Sequence, residues 1–93
     1  MLGSMAKRPP VDRLARRLVA EAALMARFQT NRGFMLETVR RRLDGVTFDE
    51  AEAAAEYAAD EPRFWIEYRA SSVRLLDAGL EMVEEHLRRG GKY

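Results

Sequence analysis

The stretch PRFWIEYRA, residues 62–70, places four large apolar side chains within five consecutive positions. On an α-helix, Phe64, Trp65, Ile66 and Tyr68 would point in at least three directions, because successive residues are rotated by about 100°. A helix that lies on one core has an apolar face of only about 100°. The stretch therefore raises the question of what covers the remaining side chains.

The apolar pattern continues beyond these nine residues with helical spacing. Pro62 suits the first turn of a helix, and Gly90 and Gly91 suit its end. Apolar residues recur in between at alternating spacings of three and four, which is typical of one stripe on a helix. This stripe contains Ile66, Val73, Leu76, Leu80, Val83 and Leu87, with Trp65 at its edge, and a second stripe beside it contains Phe64, Tyr68, Leu75 and Met82. The pattern predicts one long helix over about 62–89.

The residues before this stretch also favour helices. Pro9 and Pro10 favour a helix that begins near Val11 and continues to about Gln29. Residues 30–33, TNRG, are weak helix formers and favour a break there, with one continuous helix to Leu43 as the alternative.

Two local signals mark the middle of the chain. Asp44 and Gly45 suit a left-handed helix cap, and Thr47 followed by Glu50 is the signature of a capping box that opens another helix. We see no strand pattern. The sequence therefore predicts an all-α fold, a small bundle of three or four helices with a long C-terminal helix at about 62–89.

Length and composition limit the domain organisation. A chain of 93 residues suits one small domain, which we place at 11–89. Residues 1–10 are expected to be a tag remnant (MLGS) and a basic tail, and residues 90–93 a C-terminal tail. The chain has no cysteine, no apolar run of membrane-spanning length and no secretory signal pattern, which favours a cytoplasmic protein without membrane contact.

The two apolar stripes predict a partner. Together they cover roughly 220° of a helix about 42 Å long, which is more than the shorter helices can cover. The simpler reading of the aromatic residues, as ordinary core, stays open. We expect a homo-oligomer or a second protein to cover the remainder, at an interface formed by Phe64, Trp65, Tyr68, Leu76, Leu80, Val83 and Leu87.

Charge is divided unevenly along the chain and suggests a second function. Residues 1–45 carry ten basic and four acidic side chains, whereas residues 46–93 carry six and eleven. A nucleic-acid face is the alternative that this asymmetry supports, and a solvated basic face that complements the acidic half is the simpler reading. The candidate residues are Arg13, Arg16, Arg17, Arg27, Arg40, Arg41 and Arg42.

The segment ETVRRRLDGVTFDEAEAAAEYAA, residues 37–59, has the length of a helix-turn-helix. Two features argue against DNA binding by this motif. Arg41 stands four residues before Gly45, where close helix packing favours a small residue, and the second helix carries Asp49, Glu52 and Glu56 but no basic residue. Acidic side chains beside phosphates would be repelled. We therefore reject a DNA-binding helix-turn-helix.

One pair of charges interrupts the apolar stripes. Glu21 lies on the stripe of the first helix, and Arg69 lies among the stripes of the last. In an antiparallel arrangement the two would meet, and we expect an ion pair because a lone charge at such a place is costly to desolvate. Arg69 reaching water instead is the alternative.

Enzyme chemistry has little support in the sequence. His86 is the only histidine and has no acidic or histidine partner at metal-ligand spacing. The acidic pairs at i, i+4 suit a solvated helix face better than a metal site. We expect no catalytic residue, cofactor or metal, and a non-enzymatic adaptor, regulator or assembly subunit that acts through helix–helix contacts.

Overall fold

Residues 62–76 form no helix in the computed structural model of the protein, which describes residues 10–91. The described chain contains four helices and a three-stranded antiparallel sheet, so the all-α prediction and the long helix at 62–89 are wrong. The elements are α1 (Val11–Met25), β1 (Gly33–Met35), α2 (Leu36–Arg40), α3 (Phe48–Ala59), β2 (Ile66–Arg69), β3 (Ser72–Leu75) and α4 (Asp77–Arg88).

The apolar residues that suggested a helix alternate with polar residues along the two strands of a hairpin. Ile66 pairs with Leu75 and Tyr68 with Val73, which places all four side chains on the core side of the sheet. Glu67 pairs with Arg74 in the same ladder, and these two side chains form an ion pair on the outer face. The period of two therefore covers the apolar side chains within the monomer.

A two-residue turn joins the strands. Ala70 and Ser71 have φ values of 52° and 62°, so both adopt the left-handed backbone conformation that a tight hairpin requires. Neither residue is the glycine or asparagine that normally marks such a turn. The missing turn signal and the spacing of Ile66 and Val73 by seven made the segment resemble a helix.

The first strand completes the sheet on the other side of β3. Phe34 of β1 pairs with Val73, so the strand order is β1-β3-β2. The N–H of Leu36 then donates to the carbonyl oxygen of Ser71 at 2.8 Å, which fixes the start of α2 against the hairpin turn.

Helices α1 and α3 form the other half of the core. The buried face of α3 consists entirely of alanine, and α1 contributes small residues together with Leu18 and Val19. Small side chains allow two helices to approach closely. The buried alanines of α3 are Ala51, Ala54, Ala55 and Ala58.

The segment proposed and rejected as a helix-turn-helix lies in the middle of the chain. Helices α2 and α3 are joined by residues 41–47, and the β2–β3 hairpin follows α3. The rejected helix-turn-helix segment thus does form two helices and a turn. Its packing objection was wrong because Arg41 lies exposed in the turn and does not separate the helices.

Most of the boundary predictions in the first half are close. Helix α1 begins at Val11 as expected but ends at Met25, before the predicted Gln29. The chain is broken before Gly33, which excludes a continuous helix to Leu43. Gly45 has a φ of 72°, and the capping box of Thr47 and Glu50 is confirmed.

The predicted tails fall largely outside this description. Residues 1–9 and 92–93 are not among the described residues, so the tag remnant, nearly all of the N-terminal tail and half of the C-terminal tail lie outside them. Within residues 10–91, no helix combines the length and the apolar character needed to cross a membrane.

The capping box generates the first prediction. The Thr47 hydroxyl accepts a hydrogen bond from the Glu50 N–H at 3.1 Å, and the Glu50 carboxylate accepts one from the Thr47 N–H at 2.9 Å. We expect Thr47→Ala to lower the free energy of unfolding by about 1 kcal/mol, as measured by urea unfolding. Thr38→Ala, at an exposed position in α2, is the control and should be close to neutral. An equal effect of both substitutions would contradict the role of the cap.

The hairpin turn generates the second prediction. We expect Ala70→Gly to raise the free energy of unfolding by about 0.5 kcal/mol, because glycine adopts a positive φ without a steric cost. The same change at Ala53, an exposed position in α3, should lower it by about 1 kcal/mol. Thermal and urea unfolding of both variants would measure the difference. A loss of stability in both would indicate that residue 70 is helical.

Candidate functional site

A groove lies between the C-terminal halves of α1 and α4. It has a volume of about 260 Å³, and its lining is mainly apolar. Leu24 of α1 and Leu87 of α4 line the groove with 52% and 48% of their surface exposed. The remaining lining residues are Ala20, Glu21, Phe28, Val83 and Gly91. The groove is therefore an apolar surface that the described chain leaves partly open to water.

Phe28 reaches this groove through an unusual backbone. Arg27 and Phe28 follow α1 with φ values of 56° and 62°, so two consecutive non-glycine residues are left-handed. Such residues cost about 1 kcal/mol or more each and depend on surrounding contacts. The N–H of Phe28 donates to the carbonyl oxygen of Ala23 at 2.8 Å, which turns the chain back over the end of the helix.

Helices α1 and α4 run in the same direction along the groove. Near their N-terminal halves both adjoin Trp65, since the guanidinium of Arg16 lies 4.9 Å from its ring centroid and Gly79 packs on its carbonyl oxygen. A Cβ at Gly79 would overlap that oxygen, so the backbone of α4 is in close contact with the backbone of Trp65. Their C-terminal halves then meet at the groove.

The predicted interface residues divide into three groups. Trp65 and Val83 are 8% and 2% exposed, so they belong to the core of the monomer. Tyr68, Leu76 and Leu80 are half-buried. Phe64 and Leu87 are exposed, but only Leu87 lines the groove. The sequence analysis did not predict that α1 contributes to the groove. The signal in the sequence is Leu24, a large apolar residue four positions after Ala20 and therefore on the same side of the helix.

The arginines of the first half do not form one continuous free surface. Arg16 pairs with Asp12, Arg40 and Arg41 pair with Glu37, and Arg42 pairs with Glu21. The hydrogen bonds from Arg40 lower the pKa of Glu37 to about 2. Of the predicted nucleic-acid face, the arginines without an ion pair to any described acid are Arg13, Arg17 and Arg27.

The second helix of the helix-turn-helix presents an acidic surface. Asp49, Glu52 and Glu56 recur along one side of α3, and none forms an ion pair with a described cation. Glu52 accepts a hydrogen bond from the Tyr68 hydroxyl at 2.9 Å. The acidic character that the sequence indicated is therefore present at the position where a DNA-binding protein would need positive charge.

The predicted ion pair between Glu21 and Arg69 does not form. Arg42 Nε donates to Glu21 Oε1 at 2.9 Å, at the edge of the groove. Arg69 lies next to the hairpin turn with 85% of its side chain exposed, and its acidic neighbour is Glu67 at 3.9 Å. The prediction failed because it depended on an antiparallel pair of long helices, and residue 69 is in a strand.

A second polar cluster ties α1 to α3. The Tyr57 hydroxyl donates to Asp12 Oδ1 at 2.7 Å, and Arg16 Nε donates to Asp12 Oδ2 at 2.9 Å. These two bonds hold the pKa of Asp12 below its ordinary value, with the bond from Tyr57 as the larger cause. Tyr57 also contacts Trp65 edge to face, at 6.4 Å between ring centroids. Asp12, Arg16 and Tyr57 each contact a side chain from another part of the fold, so the role of this cluster is structural.

Neither a metal site nor a relative adds a further assignment. Residues 10–91 contain no group of three or more His, Cys, Asp or Glu side chains placed to hold a metal ion. No family model, no curated protein and no solved structure matches the chain. The candidate site is therefore defined by its geometry alone, as the apolar groove and the charged helix surfaces beside it.

The polar cluster generates the third prediction. We expect Tyr57→Phe to raise the pKa of Asp12 towards its ordinary value, because the substitution removes the larger of the two hydrogen bonds. A lowered pKa stabilises the fold above the ordinary pKa of the carboxyl, and this contribution is lost as the pH falls through the folded-state pKa. The stability difference between wild type and Tyr57→Phe should therefore shrink as the solution is acidified.

An NMR titration of the Asp12 carboxyl carbon measures the first effect, and urea unfolding across the acidic range measures the second. Tyr68→Phe is the matched control, since that hydroxyl donates to Glu52. It should leave the Asp12 titration unchanged. An identical Asp12 titration in wild type and Tyr57→Phe would contradict the hydrogen bond as the cause.

Proposed function

We propose that this chain is a non-enzymatic interaction protein that associates with itself through the groove between α1 and α4. The observation that carries the proposal is the pairing of two half-exposed leucines, Leu24 and Leu87, on facing walls of one apolar groove. Covering both would gain on the order of 1 kcal/mol for each side chain. In a symmetric dimer each contact occurs twice, so Leu24 and Leu87 of both copies would be covered.

The order of elements, with a hairpin after α2 and α3, resembles that of a winged helix-turn-helix, but this resemblance does not by itself assign a function, because one fold serves many. The surface of α3 argues against DNA reading by that helix, since Asp49, Glu52 and Glu56 would face phosphates. The same acidic surface is compatible with a protein that uses its helices to contact other proteins. This supports the adaptor, regulator or assembly role over transcriptional DNA recognition through α3.

A nucleic-acid-associated role is the second candidate. It is favoured by Arg13 and Arg17, which are spaced by four on one side of α1 and form no ion pair within residues 10–91. Fluorescence anisotropy with generic DNA and RNA duplexes at 50 and 200 mM salt tests it. Backbone contacts predict binding that weakens steeply with salt, and binding absent at 50 mM would exclude this role.

The proposal includes a cytoplasmic location, which the complete absence of cysteine supports. A fluorescent fusion expressed in the native host would test it directly.

The groove generates the fourth prediction. We expect the wild-type protein at high micromolar concentration to have a mass near twice the 10.7 kDa of the chain, measured by sedimentation equilibrium. Leu24→Asp and Leu87→Asp should each raise the dissociation constant at least about tenfold, because each places a charge in an apolar contact.

Met35→Asp is the matched control. Met35 is 56% exposed and is the residue that caps the start of α2, where an aspartate is well tolerated. It should leave the mass unchanged. A monomeric wild type at every accessible concentration would refute self-association, and an equal loss in Met35→Asp would move the interface away from the groove.

A further inference from the structure

The groove alone is too small for a stable interface. Specific interfaces bury about 1,200–2,000 Å² in total, so the surfaces beside the groove must contribute to a dimer. On α1 the exposed surface leads from the groove towards the N-terminus through Arg17 and Arg13. These two residues and Leu24 lie at i, i+4 and i+11, which places them on one stripe of the helix. The stripe is therefore apolar at one end and positively charged at the other.

The matching surface on α4 carries the opposite charge. Asp77, Glu81 and Glu84 recur at i, i+4 and i+7, so they form one edge of the helix, and all three are exposed. Leu87 continues α4 into the groove. Within residues 10–91, neither this acidic edge nor the two arginines of α1 form an ion pair. Each helix thus presents a charged half and an apolar half in the same order along the chain.

We propose that two copies of the chain pair about a two-fold axis that runs parallel to α1 and α4, so that α1 of each copy packs on α4 of the other. The inference rests on the proposed self-association and specifies its geometry. Because α1 and α4 run in the same direction, such an axis brings residues at the same level together. Arg13 and Arg17 then face the acidic edge of the other copy, while Leu24 faces Leu87.

The charges distinguish this axis from the other symmetric choice. A two-fold axis across the helices would place α1 on α1 and α4 on α4. That arrangement would make each pair antiparallel, so the arginines of α1 would lie opposite the apolar half of the other α1 and would have no carboxylate to pair with. The axis along the helices pairs opposite charges in both α1–α4 contacts at the N-terminal end of the interface. It also joins all four apolar walls at the C-terminal end.

Charge reversal tests the inference. The first variant is Arg13→Glu with Arg17→Glu, the second is Glu81→Arg with Glu84→Arg, and the third combines all four changes. Asp77 is left in place because it stabilises the first turn of α4. Sedimentation equilibrium gives the dissociation constants, and circular dichroism checks that each variant is folded. A double reversal of Arg41→Glu and Arg69→Glu, at residues with 74% and 85% exposed side chains, is the matched control.

We expect each of the first two variants to dimerise at least about tenfold more weakly than wild type. Each variant places like charges opposite one another in both α1–α4 contacts of the dimer. The variant that combines all four substitutions should recover the wild-type dissociation constant. An equimolar mixture of the first two should form a heterodimer, which only a contact between chains can produce. The control should dimerise as wild type does.

Two results would overturn the inference. If the first two variants dimerise as tightly as wild type while Leu24→Asp does not, the groove associates by another arrangement and the proposed function stands. If every charge-reversal variant dimerises more weakly, and neither the variant with all four substitutions nor the mixture recovers the wild-type dissociation constant, the charges do not face each other across the interface. A wild type that is monomeric throughout would remove the proposed function as well.

Discussion

The pairing of β2 with β3 is the contact on which the other elements depend. Their four core-facing side chains, Ile66, Tyr68, Val73 and Leu75, give the sheet an apolar face, and β1 adds to its free side. The turn of this hairpin also accepts the hydrogen bond that starts α2. Trp65, just before β2, packs between α1, α3 and α4. Without the hairpin, neither the position of α4 nor the groove beside it would be defined.

The parts of the fold that the sequence predicts correctly are those coded by local chemistry. Thr47 with Glu50, Gly45 and Pro10 each act on neighbouring backbone groups, so their patterns were sufficient. The hairpin was missed because Ala70 and Ser71 adopt a conformation that their side chains disfavour, between two strands that pair on either side of them. Of the residues predicted for an interface, Val83 and Leu87 line the groove. Its α1 wall depends on Phe28, which another pair of left-handed residues brings back over the helix end.

The charged surfaces of the molecule differ from one helix to another. Helix α3, the second helix of the rejected helix-turn-helix segment, carries Asp49, Glu52 and Glu56, which phosphates would repel. Among residues 10–91, Arg13 and Arg17 of α1 are two arginines without an ion pair, and they lie on the helix stripe that leads to the apolar groove. Charge and exposed apolar surface therefore coincide on the α1–α4 side of the molecule, and this coincidence favours protein contact there.

The spacing of α1 and α4 has a consequence for how such a protein can change over time. Gly79 rests directly on the carbonyl oxygen of Trp65, so main-chain atoms fix how closely α4 approaches the segment before β2. Substitutions at Leu24, Leu87 or the charged edges would leave that main-chain contact intact. Under the proposed pairing, descendants of one ancestral gene would be able to diverge in partner preference through surface charge, while the placement of α4 stays the same.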